Sequence, residues 1–534
     1  MASPSTASSS IDRQEWLFFA AAGLLSSAWC LASARYLGAT FDEPLYLEAG
    51  LDYWRNGTFR QLLSAGVMPL STHLQTLPLY VMEAAGRSWA LTTDIGEMLA
   101  IARSVTLLFW WTLLFYAWQL ARVAGGRAAG MLALALLAAD PNLLAHATLA
   151  TTDIALAAML LAFTFHYALG NDRAWAWRVG LPSVAFALAV AAKVSAVVLG
   201  PAIMATIIAY RFTIGRRSLR PDVVDALVIT AAGIALAVIY CGPGGGPSFQ
   251  GTLAAMRLDH PLRPLVAFVA GLPLFPNGLY AIWFQFDHAL AGQAAFINGR
   301  SDAESLWFYL PLLLSIKLPI VLLLGSVLAL LWPPIVPQRL MLAGAVLGGS
   351  MLVLRIQTGV RLALPLIALL VVWIAARVAQ VTSPAPALRR GSWAGIIVLT
   401  AMTTARAWPD PLRFVNEAWG HVDEAYRYVS DSNYDWGQGL PELAEWQART
   451  QAETAVWYFG TDPRFPQLQR VNPRAAGFSP DQLRERSIAI STSLLYGGYV
   501  TDGDAFALVA KARTLAPLAR TRTFLIFEGN ALTR

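Results

Sequence analysis

The chain has 534 residues, 56% of them hydrophobic and 13% charged, with a formal net charge of +6. Soluble domains carry roughly 25% charged residues, so these figures exclude a soluble enzyme and indicate a polytopic membrane protein with mean hydropathy +0.51. The Lys and Arg lie scattered between apolar runs, which argues against a nucleic-acid partner, and the two cysteines, Cys30 and Cys241, show neither CxxC nor metal-ligand spacing.

Apolar segments recur at about 16–34, 99–121, 128–140, 153–169, 179–192, 194–210, 222–241, 306–331, 339–354, 362–380 and 393–407. Each approaches the roughly 20 residues a spanning helix needs, giving about eleven spans. The first is too long for a signal-peptide core and no small-residue cleavage site follows it, so it reads as a retained helix. The two segments flanking Lys193 are short and form either a tight hairpin or one broken helix.

Short loops carrying Arg13, Arg122, Arg127, Arg173, Arg178, Arg211, Arg216, Arg217, Arg220, Arg339, Arg377, Arg389 and Arg390 fall on one side, which the positive-inside rule makes cytoplasmic. Three longer segments, about 35–98, 242–305 and 408–534, then face the other side. The second is rich in Gly, Pro and aromatics, including the run from Cys241 to Pro247 and that from Leu272 to Tyr280. Irregular backbone of that kind is tolerated near a membrane where it is buried in protein or lines a wet cavity. From Trp408 the chain turns polar, with β-like runs at 454–459, 487–492 and 523–527 and a helical pattern at 439–452, a small α/β domain. The expected organisation is thus a transmembrane domain over 1–407, with functional loops 35–98 and 242–305, and an extracytoplasmic domain over 408–534.

The most informative residues are Asp42 and Glu43, adjacent carboxylates where the first span ends. Charge at a membrane boundary is costly and marks function. Arg103, Asp153, Lys193, Lys317, Arg355 and Arg361 map to the same face. Each cation alone could snorkel to the headgroups, and Asp153 could simply cap its helix. Together they suit a substrate whose tail stays in lipid while its polar head reaches water. A transporter would place such charges near the bilayer midplane.

These residues fall in an order that resembles the C-type (GT-C) membrane glycosyltransferases, in the branch similar to protein O-mannosyltransferases and bacterial phospholipid-carrier-dependent glycosyltransferases. The Asp-Glu pair is similar to their first-loop acidic motif, and Ala145-His146 followed by Thr151-Thr152-Asp153 to their second-loop pattern. Ala191-Ala-Lys193 and Ile316-Lys317-Leu-Pro319 resemble their Lys-bearing segments, and Arg361 with Pro365 their Arg-x-x-x-Pro stretch. Phe414-Val-Asn416-Glu-Ala-Trp-Gly420 and Asp431-Ser-Asn-Tyr-Asp-Trp-Gly-Gln438 resemble a signature of bacterial members. The chain departs from the pattern in the first loop, Gly66-Val-Met-Pro-Leu-Ser-Thr-His73, where Thr72 replaces a common Lys, and at Gly439, where an Asp is usual.

The resemblance implies transfer of a sugar (a hexose, mannose among the candidates) from a polyprenyl-phosphate carrier to an extracytoplasmic acceptor, usually with inversion. It implies a bacterial inner membrane location, a lipid-linked donor, and a protein, lipid or glycan acceptor. Attack by an acceptor hydroxyl needs a carboxylate base, for which Asp42 is expected, with Glu43 orienting the acceptor or polarising Asp42. The leaving lipid phosphate needs fixed cations: Arg361 first, then Lys317, Lys193 and Arg103, with Asp153 holding a cation or a sugar hydroxyl. His73 and His146 read as structural histidines more readily than as substrate ligands. Asn433, Asp435, Trp436 and Gln438 form either a sugar-binding cluster or a domain-docking turn. Tyr46, Trp54, Trp283 and Trp307 read as interfacial anchors. No DxD stands in the first loop, so no metal or other cofactor is assigned, and a divalent metal stays open. The alternatives are a transporter or flippase of a lipid-linked substrate and a non-catalytic membrane scaffold.

Overall fold

The computed structural model describes residues 11–213, 218–242, 263–270, 276–302, 305–331, 355–382, 386–475, 478–484 and 486–533, together with residues 256, 259, 344 and 349. The expected span at 339–354 apart from residues 344 and 349, most of the Gly/Pro-rich stretch after Cys241, and Arg216, Arg217 and Arg339 lie outside these residues.

The main helices are α1 (Arg13–Ala34), α2 (Glu43–Asn56), α3 (Leu70–Ala84), α4 (Leu91–Leu137), α5 (Pro141–Ala147), α6 (Asp153–Leu169), α7 (Leu181–Ala192), α8 (Ala196–Thr213), α9 (Leu219–Tyr240), α10 (Pro276–Ala291), α11 (Tyr309–Lys317), α12 (Ile320–Leu331), α13 (Leu364–Thr382), α14 (Pro386–Arg406) and α15 (Leu440–Thr450). Local chemistry sets several ends. Asp12 caps α1 by accepting from the Glu15 amide at 2.8 Å while the Glu15 carboxylate takes the Asp12 amide, a reciprocal capping box. The two expected spans 99–121 and 128–140 form one helical run broken at Gly125 and Gly126, whose φ values of −141° and +78° leave the helical region. Lys193 is extended between α7 and α8.

Among the described residues, five helices are long and apolar enough to cross a membrane, or six when the pair α11–α12, bent by 115°, is taken as one span. Leu24, Leu25, Leu227, Leu330 and Leu331 are exposed on these helices, an apolar surface that only lipid can solvate at this extent. The chain is an integral membrane protein. Its helical core centres on α13, buried against α4 and α6. At the arginine-rich ends, ion pairs tie neighbouring helices together: Arg122 to Glu15 (2.9 Å), Arg178 to Asp225 (3.0 Å) and Arg211 to Asp222 (3.5 Å).

A short hairpin, β1 (Ala295–Ile297) and β2 (Arg300–Asp302), follows α10. The polar tail carries β3 (Thr454–Trp457), β4 (Gln469–Arg470), β5 (Ser487–Ser491), β6 (Ala519–Arg520) and β7 (Phe524–Glu528) in one sheet of order β4-β3-β5-β7-β6. The β4–β3 and β3–β5 pairs are parallel, and the β5–β7 and β7–β6 pairs antiparallel. The carboxyl ends of the parallel strands point their loops toward Asp42 and Arg361.

Candidate active site

Asp42 stands at the N-cap of α2, and Arg361 lies in a 3-10 turn (Val360–Ala363) that leads into α13. Although 319 residues apart, they meet: Arg361 Nη1 donates to Asp42 Oδ2 at 3.0 Å. Arg361 Nε and Nη2 donate to Thr358 Oγ1, and the guanidinium lies 4.4 Å from the centroid of the Trp436 ring. An aromatic face under a guanidinium holds it in place without occupying its donors.

Glu43, one residue on, points elsewhere. Its carboxylate is fully buried and accepts from the Thr40 amide and hydroxyl, the Ala150 amide, and Arg103 through two nitrogens at 2.9 and 2.7 Å. Burial raises this carboxyl, and Arg103 with the Thr40 and Ala150 amides overcomes that and holds it below its ordinary value. Arg103 is buried as well and donates to the carbonyls of Ala34, Leu37 and Gly38. The expected phosphate-binding arginine thus fastens the strand that precedes Asp42.

The tail signature performs a similar task from the other side. Gly38 and Phe41 amides donate to the carbonyls of Gln438 and Trp436, each at 2.8 Å. A Cβ on Gly38 would sit 2.7 Å from Pro441 Cδ, so only glycine permits this approach. Asn433 accepts from the Val360 amide at 2.8 Å and donates to Tyr309, while Ser432 Oγ donates to the Thr358 carbonyl. Gly359, with φ +122°, turns its empty Cβ position toward Ser432. Asp435 accepts from Ser493 and Gly437 amides, and Gln438 from the Trp436 amide. All four tail residues expected either to bind sugar or to dock the domain are buried, and Asn433, Asp435 and Gln438 engage their side-chain polar atoms within the protein, while Trp436 lies under Arg361. Burial pushes the Asp435 carboxyl up to about 7, against the pull of its amide donors.

Asp153 opens α6 and accepts from Lys193 Nζ at 2.5 Å, with His146 Nδ1 at 3.9 Å from its second oxygen. Lys193 is partly exposed where the helices break. Lys317 is buried, and its ammonium donates to the carbonyls of Leu412 and Asn433 at 2.8 and 2.9 Å. His146 is buried between Asp153 and Trp436, and His73 packs against Tyr53 and Trp54 and bonds the Tyr240 hydroxyl. Arg355 donates to the Leu290 carbonyl.

Two clefts meet at the Asp42–Arg361 pair. The first, about 650 Å³, is lined by Phe41, Asp42, Arg361, Asp431, Trp436 and the ends of β3 and β4. The second, about 300 Å³, is more apolar, with Val67, Met68, Val198 and Phe286 around Lys193 and Arg361. Gln293 reaches both. Tyr46, expected at the interface, lies in this second cleft beside Asp42.

Of the expected residues, Asp42, Arg361 and Lys193 line the clefts with Trp436, while Asp153 stands behind Lys193. Glu43, Arg103, Lys317, His73, His146, Asn433, Asp435 and Gln438 do not line them. The sequence reading missed Asp431, Tyr499, Gln285, His288 and Gln293. Asp431 was visible as the first residue of the tail signature; the others carry no motif.

No protein-family model matches the chain, and no curated protein matches it. Solved structures do. The archaeal oligosaccharyltransferase AglB from Archaeoglobus fulgidus, in complex with an inhibitory peptide and a dolichol-phosphate, is 12% identical at a TM-score of 0.50, with 97% of this chain and 74% of that chain covered. Its apo form is 11% identical at 0.51, covering 93% and 71%. ArnT from Cupriavidus metallidurans bound to undecaprenyl phosphate is 16% identical at 0.32, covering 96% and 98%. The AglB matches show a shared fold across nearly the whole chain.

Proposed function

From the GT-C fold that this chain shares with a membrane oligosaccharyltransferase, we propose that it is a glycosyltransferase using a polyprenyl-phosphate-linked sugar, a hexose by the sequence resemblance. The observation that carries this reading is the Asp42–Arg361 pair at the junction of two clefts, one apolar and one polar. The apolar cleft suits the first units of a lipid carrier, with Arg361 and Lys193 facing its phosphate. The acceptor enters from the polar cleft. AglB holds a dolichol-phosphate, a polyprenol-type lipid phosphate of the class proposed for the carrier. The arginine-rich helix ends lie in the short loops, which under the positive-inside rule supports a site on the extracytoplasmic face of a bacterial inner membrane.

In the reaction, the acceptor oxygen forms a bond to the anomeric carbon from the face opposite the phosphate, inverting it. The bond from that carbon to the phosphate oxygen breaks, and its electron pair stays on the phosphate. Asp42 takes the acceptor proton. Arg361 meets the growing negative charge with a guanidinium already held in position by Trp436 and Thr358. Asp153 keeps Lys193 directed along the cleft wall. Glu43, Arg103, Lys317 and Asn433 act one layer out, positioning the pair. The pair's own contact opens when donor phosphate binds, freeing Asp42 for its proton.

Purified protein in lipid nanodiscs, given a synthetic polyprenyl-phosphate hexose, is expected to consume the donor and release polyprenyl phosphate. Asp42→Asn is expected to lower turnover by about 10²- to 10⁴-fold while donor binding persists. Full activity in that variant would sink the mechanism.

A further inference from the structure

Sugar transfer needs a carrier for the attacking hydroxyl, and the polar cleft limits what that carrier is. Trp457 ends β3 and Tyr458, Phe459 and Gly460 follow it; Val471 and Asn472 follow β4; Leu494 and Tyr499 follow β5. These are the carboxyl ends of the parallel strands, where α/β sheets bind small ligands. Asp42 and Arg361 lie at the far side of the same cleft, so a molecule seated there brings an oxygen to the base.

The walls are aromatic and closely set. Phe41 and Phe459 have ring centroids 5.5 Å apart, and Phe459 and Tyr499 stack at 5.0 Å. Facing them is Asp431, held in a left-handed backbone conformation at φ +54°. Its carboxylate accepts from the Ser432 amide and the Tyr499 hydroxyl. A carboxylate has about four lone-pair sites, so the two contacts leave capacity for a pair of neighbouring hydroxyls.

Three ligand classes compete for such a surface. Aromatic rings with a carboxylate also suit an organic cation, but Asp42 is already paired with Arg361, and Arg474 offsets Asp431, so the lining carries no excess of negative charge to hold one. An extended peptide adds to the edge of a sheet. Here the edge strands β4 and β6 have two residues each, and the cleft sits at strand ends rather than along an edge. A sugar ring uses what is present: C–H faces against aromatic rings, and adjacent hydroxyls for a carboxylate. The volume of about 650 Å³ falls within the roughly 300–1,000 Å³ of small-molecule sites.

We infer that the cleft at the carboxyl ends of β3, β4 and β5 is the acceptor site and that its occupant is a saccharide, lying on the Phe41–Phe459–Tyr499 wall with Asp431 taking its hydroxyls. The term acceptor rests on the transfer reading above; the saccharide site itself does not.

Binding is testable without donor. Saturation-transfer NMR on the full chain in nanodiscs would use methyl α-mannoside, methyl β-glucoside and methyl N-acetyl-β-glucosaminide as probes, beside capped Ser and Thr tripeptides. At least one glycoside is expected to bind saturably and the peptides not. Asp431→Asn, in which Asn tolerates the left-handed backbone, is expected to weaken binding at least tenfold, as is Tyr499→Phe, which frees Asp431 from its partner. With donor present, the bound glycoside becomes a disaccharide. Peptide binding without glycoside binding overturns the inference, as does glycoside binding that survives both substitutions. Donor hydrolysis by a protein that binds no glycoside leaves the transfer reading standing and removes this one. Glycoside binding with no consumption of any donor does the reverse, and the cleft is then a saccharide site but no acceptor site.

Discussion

Asp42 and Glu43 are neighbours in the chain with opposite fates, because the first turn of α2 aims them about 100° apart. Asp42 is partly exposed at the clefts; Glu43 is fully buried against Arg103. Removing one partner of a buried ion pair strands the other charge, typically at about 3–5 kcal/mol. Glu43→Gln is therefore expected to lower the thermal midpoint markedly, read by tryptophan fluorescence or light scattering on heating. Whatever activity remains in the folded fraction should keep the wild-type donor KM, since Glu43 reaches neither cleft. Arg361→Lys should behave in the opposite way. Lysine is a point charge that cannot reproduce the contacts to Asp42 and Thr358 together or the planar stack on Trp436. Turnover is expected to fall by about 10²- to 10³-fold with the melting temperature nearly unchanged, as steady-state kinetics and a thermal scan on one preparation would show.

At the scale of elements, the tail segment 431–438 is the clamp on the Asp42–Arg361 pair. Trp436 and Gln438 pair their backbone with the approach to Asp42, and Asn433 with Ser432 grips the turn bearing Arg361. Lys317, at the bend between α11 and α12, binds the same segment through the Asn433 carbonyl. Asn433→Ala leaves the buried Val360 amide and Tyr309 hydroxyl without this partner, at about 1–3 kcal/mol for each unsatisfied group. It also loosens the Arg361 turn, and a displacement of about 1 Å can cost about 10²-fold in rate. Loss of both stability and kcat, with donor affinity reduced far less, is the expected pattern in paired thermal and kinetic measurements. The departure at Gly439 belongs to this scale as well. A Cβ there would lie 1.8 Å from Thr523 Oγ1, so this chain has no room for the Asp usual at that position unless Thr523 moves.

For the whole molecule, the contact between the sheet and the helices depends on buried polar groups, and one of them titrates near neutrality. Asp435 has a carboxyl raised to about 7 by burial, against about 3.9 when unfolded. Between those values the native state holds a proton that the unfolded chain has lost, so the contribution of Asp435 to stability falls as pH rises from about 4 to about 7 and is flat on either side. Asp435→Asn is expected to remove that slope, with a difference from wild type of a few kcal/mol across the window, since a tenfold change in proton affinity is about 1.4 kcal/mol. Denaturant titrations at pH 4.5 and 7.5 on both proteins would measure it.

Much of this architecture was legible in the chain. Apolar runs announced the spans because lipid admits little else for 20 residues, and period and polarity announced the α/β tail. Asp42 and Arg361 stood out because charge at a membrane boundary is costly. What the linear order could not convey was which charged residues share one space. Arg103, Lys193, Lys317 and Arg361 are equivalent cations in the sequence; only packing turned Arg103 toward Glu43 and Lys317 toward two carbonyls, leaving Arg361 and Lys193 on the clefts. The tail signature likewise left sugar binding and docking equally open, and burial of its side chains inclines toward docking. The polar cleft was least visible of all. Its walls come from the ends of three strands and the turn before α2, brought together by a sheet in which β3 lies between β4 and β5. Composition and charge determined that this is an integral membrane protein, because transfer energies act residue by residue. Tertiary structure alone decided which charged groups meet at the clefts, because that depends on distances between segments hundreds of residues apart.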